Sequence, residues 1–427
     1  MVQESVILKR NISWVQGVAL TVGAVLGSGV LVLPVLAADL AGPASLLSWL
    51  IMGLLTVPLV ITLGKLSSRH PDAGGIAAYA RQAFGETASA VTGWLFLGTV
   101  PIGAPVAALI GANYLGAYLS LNAIEVFIVA AVTLLMAVLL NYRGISLSGR
   151  VQLLVVGLIA LILLIIIATA LPEVDKRAFT PFAPLGWIPV GVAMTVLFWA
   201  FVGWEMIGHL AEEFKNPGRD IQISLGVSLV IVNLLYILLA FVIIGTRSYL
   251  AEGKIAALTH MASRNMGEFS GAVVAILGFI ACYGTIHTYV AGFSRLVFAQ
   301  SRQGYFHVYF SDLHPVYHTP HRVLLSLLPV FFTVLLIYYG LSVSITVLIQ
   351  FTSAIFIVLY IIAMASAVKL LKKAVFYRYC AVVSLMVCLG IYGFTGWSGL
   401  YPVILGAVGL YLGRRKQRLE QNINNQL

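Results

Sequence analysis

Charge is what this sequence has least of. Asp, Glu, Lys and Arg make up 9% of its 427 residues, against 60% hydrophobic, and mean hydropathy is +1.00. So few charges cannot cover that much apolar surface in water, which excludes a soluble enzyme or scaffold and points to a polytopic membrane protein. Cysteine is nearly absent. Cys282, Cys380 and Cys388 all stand in apolar stretches, where a free thiol acts as a small buried hydrophobe, so neither a disulfide nor a metal set is expected. No H-E-x-x-H occurs, and with it the most legible zinc signature is missing. The polar start, Met1 to Asn11, leads into an apolar stretch too long for a signal peptide and without a small-residue cleavage site, so no removable leader is expected.

What is present is a series of long apolar runs. Twelve reach membrane length, at roughly 13–39, 44–66, 87–118, 122–141, 147–171, 187–208, 221–245, 269–299, 322–340, 343–368, 374–394 and 397–413. The third and eighth exceed what a bilayer needs, so tilt or extension into water is expected. The net charge of +10 raises a nucleic-acid partner as a possibility, and its placement argues against one. With the N-terminus inside, only Lys176, Arg177, Arg247, Lys254 and Arg264 of the 25 Lys and Arg fall on the outer side. That asymmetry is a topology signal and puts both termini in the cytoplasm. The chain then divides into a cytoplasmic segment 1–12, a ten-helix core 13–370, two additional helices at 374–413 and a basic cytoplasmic tail 414–427.

Two inner connections look structured. Pro71 and Gly74-Gly75 are turn signals, and the following stretch through Phe84 suits a short amphipathic helix at the interface. The connection from Ser301 to His321 carries His307, His314, His318 and His321. Their irregular spacing reads as a solvated loop in preference to a metal site.

The first apolar stretch is interrupted at its middle by Gly27-Ser28-Gly29. Backbone that leaves a helix inside lipid has no water to bond its N–H and C=O groups, so it is tolerated only where protein buries it or a polar cavity meets it. The plain alternative is a small-residue packing face, with Gly23 four residues before Gly27. The sixth stretch ends in a second irregular segment, Phe198-Trp199-Ala200-Phe201-Val202-Gly203-Trp204-Glu205. Glu205 stands inside the apolar span, where a charge costs about 2.5–3.5 kcal/mol on insertion scales and normally faces a cavity or a partner. Irregular first and sixth spans are what two five-helix inverted repeats give, about 13–171 and 187–368, with both broken helices meeting at the midplane. The expected fold is therefore an all-α polytopic membrane protein of about twelve transmembrane helices, with a 5+5 inverted-repeat (LeuT-like) core broken in helices 1 and 6.

These residues resemble the amino acid–polyamine–organocation transporter superfamily. The resemblance rests on Gly27-Ser28-Gly29-Val30, the Pro71…Gly74-Gly75…Tyr79…Gly85 loop, and Gly203-x-Glu205 followed by Glu213-x-Lys215-Asn216-Pro217-x-Arg219-Asp220. Ser294-Arg295-Leu296, Ser301-Arg302-Gln303-Gly304 and Thr319-Pro320 fit it too, and together the matches cover about residues 12–370. Within the superfamily, Thr92-Gly93-Trp94-Leu95-Phe96-Leu97, Pro101-Ile102-Gly103-x-Pro105 and Phe201-Val202-Gly203-x-Glu205…His209-Leu210 are similar to bacterial exporters of L-methionine and branched-chain amino acids. One departure is Ile221, where many members carry proline. The resemblance implies a small-molecule amino acid as substrate and an inner-membrane location; H+ is the coupling ion expected from the burial of Glu205, and no cofactor is expected.

An α-amino acid offers one carboxylate and one ammonium. The second half of span one starts at Ser28-Gly29-Val30, where free N–H groups and the positive dipole end suit the carboxylate. Carbonyls near Val25 and Leu26, and from Trp199 to Phe201, suit the ammonium. The substrate-binding set is thus Val25, Leu26, Gly27, Ser28, Gly29, Val30, Trp199, Phe201 and Gly203, with Thr99, Ile102 and Ala104 as pocket wall. An apolar wall favours Met, Leu, Ile or Val over basic substrates, with weak discrimination among them, since one methylene is worth about 1–3 kcal/mol. Ordinary helix packing is the plain alternative for each aromatic. For proton coupling the titratable groups at suitable depth are Glu205, His209 and His287; His209 also reads as a helix-end residue beside Glu212 and Glu213. Import or exchange is the alternative direction. A channel, a non-transporting sensor and an intramembrane metalloenzyme are the rival classes; the first and last lack their own sequence marks here, and the sequence leaves the sensor open.

Overall fold

The computed structural model describes residues 12–70, 75–144, 149–205, 214–251, 253–302, 304 and 306–424. All regular structure among them is helical, apart from one isolated parallel bridge between Ile12 and Phe214. Ten helical stretches are apolar and long enough to cross a bilayer by length and composition, and Trp14–Leu26 and Ile188–Phe201 are shorter apolar helices. The chain is thus a multi-pass membrane protein.

The first predicted span is two helices. α1 (Trp14–Leu26) starts at a capping box between Ser13 and Gln16 and stops at Gly27; α2 (Gly29–Ala41) follows after Ser28. From Gly29 to Ala38, α2 is apolar all round and accordingly buried all round. It packs against α8 (Ile188–Leu197), while α1 packs against α9 (Pro217–Gly245) and α7 (Gly149–Ala170). α3 (Ser45–Arg69) packs against α9 and closes that side of the bundle.

α4 (Gly75–Phe84) is the amphipathic helix expected after the Gly-Gly turn. Its apolar face is buried in protein: Tyr79 packs with Leu66, Ala367, Leu371 and Ala381, and its hydroxyl bonds Ser67 Oγ at 3.1 Å. The two longest helices are α5 (Glu86–Leu119) and α11 (Glu268–Arg302), the over-long third and eighth spans, and they run side by side. At 34 and 35 residues each is about 50 Å long, well beyond a hydrocarbon core of about 30 Å.

α6 (Ala123–Tyr142), capped by Asn122 and Glu125, packs on α5 and on α12 (His321–Gly340). α13 (Ile345–Leu370) lies against α5 and α14 (Val375–Tyr392), and α15 (Leu400–Asn424) packs along α5. The basic segment after residue 413 continues α15 to Asn424. One helix was not expected from sequence. α10 (Ala257–Met266) buries Leu258 and Met261, and its apolar face is too short to stand out among Lys254, His260 and Arg264.

The histidine loop is exposed at His307 and His318, whereas His314 and His321 join an aromatic cluster with Tyr142 and Tyr317. Among the described residues, no group of three or more His, Cys, Asp or Glu has metal-holding geometry.

Candidate functional site

Two interruptions meet in the middle of the bundle. In the first, Gly27 adopts φ 34° and ψ −145°, a positive-φ conformation that glycine reaches without a Cβ penalty. The chain then re-enters a helix at once. This leaves the last carbonyls of α1 and the first N–H groups of α2 without intrahelical partners. Ser28 is the residue before α2, yet its hydroxyl makes no cap bond; it is buried and has no partner among the described residues.

The second interruption is longer. α8 tightens into a 3-10 turn, Phe198–Phe201, and Val202 is extended. Gly203 takes φ 115° and packs against the end of α1, where a Cβ would stand 2.8 Å from the Ala24 carbonyl oxygen. Glu205 is buried and turns back on this segment. Its Oε2 accepts from the Gly203 N–H at 2.9 Å and from the Tyr360 hydroxyl of α13 at 2.5 Å. The carboxylate therefore replaces bonds that a continuous helix would have made.

The interruptions touch. A Cβ on Gly29 would meet Trp199 Cδ1 at 3.1 Å and Ala200 Cα at 3.3 Å. They are also stapled from α9, where the buried Tyr236 hydroxyl lies 3.0 Å from both the Val25 and the Ala200 carbonyl oxygen. The Tyr236 ring packs with Trp49 at 5.0 Å and Phe201 at 5.6 Å between centroids.

A cavity of about 60 Å³ opens at the first break, room for on the order of five water-sized groups. Its wall includes Ala24, Val25, Gly27, Ser28 and Gly29 from span one, and Trp199 and Val202 from span six. α5 contributes Thr99, Val100, Gly103, Ala104 and Ala107. α11 contributes Thr285, Ile286 and Tyr289, and α13 contributes Thr352 and Phe356. The Trp199 ring crosses the cavity from Gly29 to Gly103, where a Cβ would stand 3.3 Å from Cη2. The hydroxyls of Thr99 and Thr285 donate to carbonyls of their own helices, at 2.6 and 3.0 Å, so their oxygens keep acceptor capacity. No charged side chain is among the described residues lining the cavity.

Of the residues singled out from sequence, Val25, Gly27, Ser28, Gly29, Trp199, Thr99 and Ala104 come together on this wall. Leu26, Val30, Phe201, Gly203 and Ile102 lie off it. Phe201 turns toward Trp49 and Tyr236, and Gly203 toward Ala24. His287 is buried on the α6 side of α11, where Asn141 Nδ2 lies 3.1 Å from its Nδ1 and donates to its carbonyl. His209 lies outside the described residues. Sequence reasoning missed Thr285, Tyr289, Thr352, Phe356 and Tyr236. The pairs 285/289 and 352/356 share helix faces at i,i+4, but α11 and α13 are unbroken apolar helices and nothing local distinguishes those faces.

The cavity thus lies at the junction of two interrupted helices inside a multi-pass bundle, with no charged side chain among its described lining residues. A family model described as "Amino acid permease" matches residues 12–412, and the chain belongs to that family, within the superfamily its motifs resemble. The chain is 42% identical over 409 residues to an uncharacterized amino acid permease, YecA, of Bacillus subtilis, covering 96% of each. It is 33% identical over 419 residues to the L-methionine/branched-chain amino acid exporter YjeH of Escherichia coli, covering 97% of this chain and 98% of that one. A branched-chain amino acid permease, BcaP, of Bacillus subtilis is 26% identical over 338 residues.

Proposed function

We propose that the protein is a secondary active transporter that exports neutral apolar amino acids (methionine, leucine, isoleucine and valine) across a bacterial inner membrane by proton-coupled antiport. The observation that carries this reading is the uncharged cavity at the junction of two broken helices. The start of α2, with its free N–H groups and the Ser28 hydroxyl, suits a carboxylate. The carbonyls ending α1 suit an ammonium. Trp199, Phe356, Val100, Ala104 and Ile286 form an apolar wall for a hydrocarbon or thioether side chain, and none would pair a charged one. The names of the exporter and of the branched-chain permease agree with that chemistry.

The scaffold read here is twelve spans, the first ten forming two inverted five-helix repeats with α5 and α11 as equivalent third members, and both termini in the cytoplasm. Ion pairs support the sidedness, because partners fall on one predicted side: Lys254 with Asp39 and Arg264 with Glu173 outside, Arg322 with Asp312 inside.

Glu205 is the group we assign to the proton. Its carboxylate holds the Gly203 N–H only as an acceptor, so protonation weakens the bond that shapes the second break. The titratable groups facing it are Tyr360 on α13 and Tyr289 on α11. Import or exchange through the same site is the second reading, since direction depends on gradients and not on the cavity.

The test is efflux from cells loaded with methionine- or leucine-containing dipeptides. Expression is expected to lower intracellular methionine, leucine, isoleucine and valine. Unchanged pools, with the protein present in the membrane, would refute export; trans-stimulated uptake under the same conditions would establish exchange instead.

A further inference from the structure

We infer that the end of α3, the end of α13 and the start of α14 form a binding site for an anionic phospholipid, a phosphate diester carrying two acyl chains. This needs the chain to cross a membrane and does not depend on which solute it moves. The starting point is a missing counter-charge. Lys65 stands near the end of α3, Lys369 near the end of α13, Lys372 and Lys373 in the turn that follows, and Arg378 in the first turn of α14. The sequence has no Asp or Glu between Asp39 and Asp72, or between Asp312 and Glu420, so these three helices carry no carboxylate at all. Among the described residues none of the five cations is ion-paired. Two have rings in place of acids: Lys65 Nζ lies 5.0 Å from the Tyr377 centroid and Lys369 Nζ 5.2 Å from that of Phe84.

Packing brings these groups together. Leu66 of α3, Ala367 and Leu371 around the end of α13, and Ala381 of α14 share one buried cluster with Tyr79 of α4. The turn between α13 and α14 is closed by the Leu371 N–H on Ala367 and the Ala374 N–H on Leu371, at 2.8 and 2.9 Å. Leu371 is buried, and Lys372 and Lys373 stand exposed at the tip. Cations gathered in this way repel one another, and a phosphate among them relieves the repulsion. An excess of Lys and Arg on one side is a topology signal. It does not account for their convergence on three helix ends without one acid.

Apolar tracks lead away from the cations. Val375, Tyr379, Val382, Met386 and Leu389 are exposed along α14, at the three- and four-residue spacing of one helix face. Leu50, Leu54 and Val57 are exposed on α3, and the same spacing continues through Ile61 to Lys65. α3 and α14 pack side by side. Since Lys65 meets Tyr377, both tracks leave from one level. Val57 and Val382 then lie roughly 8–12 Å deeper by helical rise, inside a single leaflet of about 15 Å. A headgroup at the lysines thus puts its chains against surface that is already apolar.

The experiment uses the full chain in phosphatidylcholine nanodiscs, with phosphatidylglycerol as the probe. A photoreactive phosphatidylglycerol, mapped by peptide mass spectrometry on the wild-type chain, should label 50–65 and 375–389 in preference to other exposed helices. Even labelling of all exposed helices overturns the proposal, and that result requires no variant. Native mass spectrometry then measures affinity. Lys372→Gln, Lys373→Gln and Arg378→Gln together are expected to weaken phosphatidylglycerol binding at least about tenfold, while Lys372→Arg with Lys373→Arg retains it. Arg414→Gln with Arg415→Gln, at exposed positions on α15, should change it less than about twofold, because these cations lie outside the cluster. Equal losses per cation removed would mean diffuse surface attraction and would overturn the site. Soluble glycerol phosphate competing as well as phosphatidylglycerol would make this a site for a free anion and overturn the lipid assignment.

Discussion

The two breaks solve one problem by different means. In span one the chain leaves and re-enters the helix across Gly27 and Ser28; the Tyr236 hydroxyl reaches the Val25 carbonyl, and the Ser28 hydroxyl has no partner among the described residues. In span six the departure is spread over the turn Phe198–Phe201, the extended Val202 and Gly203, and a carboxylate and a tyrosine hydroxyl hold it. The cavity lies at the first break. The second satisfies its own backbone with Glu205 and lends the cavity mainly the Trp199 ring. The same device, interrupted helix in a low-dielectric setting, thus yields a cavity-facing end and a self-bonded end.

That difference is sharpest at the glycines. A Cβ at 203 would meet the α1 backbone at 2.8 Å, whereas one at 27 would find its nearest neighbour at 3.7 Å. Gly203→Ala should therefore abolish substrate binding and lower the melting temperature of purified protein, since about 1–2 kcal/mol of dihedral strain adds to a backbone clash that no rotamer relieves. Gly27→Ala carries the strain without the clash and should do less harm. Thermal melts and ligand binding on both variants check the order, and the reverse order would break the contrast.

Next in size is Glu205→Gln. The amide keeps an acceptor for Gly203 but cannot take up and release a proton. Transport in vesicles under an imposed proton gradient should lose its pH response while binding at fixed pH persists. An unchanged response would remove Glu205 from the proton route.

Ser28→Ala probes the free end. Removing a buried hydroxyl that lacks a partner should leave the melting temperature unchanged or slightly higher, while affinity falls by about fivefold, the effect of one hydrogen bond of about 1 kcal/mol. A fall in both would mean that the hydroxyl supports the fold. Gly103→Ala tests the opposite end of the cavity. A Cβ there would press on Trp199 Cη2 at 3.3 Å and Thr352 Cγ2 at 3.5 Å, narrowing the side-chain end of the cavity. Competition assays should show valine gaining on methionine by up to about tenfold, within the 1–3 kcal/mol that one methylene commands. No change in the ratio would move the side-chain subsite elsewhere.

Gly27-Ser28-Gly29 was legible because lipid makes non-helical backbone costly, so a small-residue interruption in an apolar run carries its own signal. Trp199 was legible by proximity to the second break. Phe201 stood in the same short stretch and faces the other way, toward Trp49 and Tyr236, because the 3-10 turn rotates adjacent aromatics to opposite sides. His287 shows the same limit. Depth in α11 was readable, but Ile286 faces the cavity while His287 faces Asn141 of α6.

By itself the amino-acid sequence determined the helical membrane class, the long third and eighth spans, the break in span one and the overall shortage of charge. Each follows from local hydropathy or from a glycine's missing Cβ, and neither needs a neighbour. Tertiary structure alone decided which hydroxyls and rings line the cavity, that Glu205 bonds its own break, and that Tyr236 joins both. The physical reason is that helices such as α2 and α13 are apolar on every side, so no amphipathic pattern fixes their rotation. Packing against their neighbours sets it.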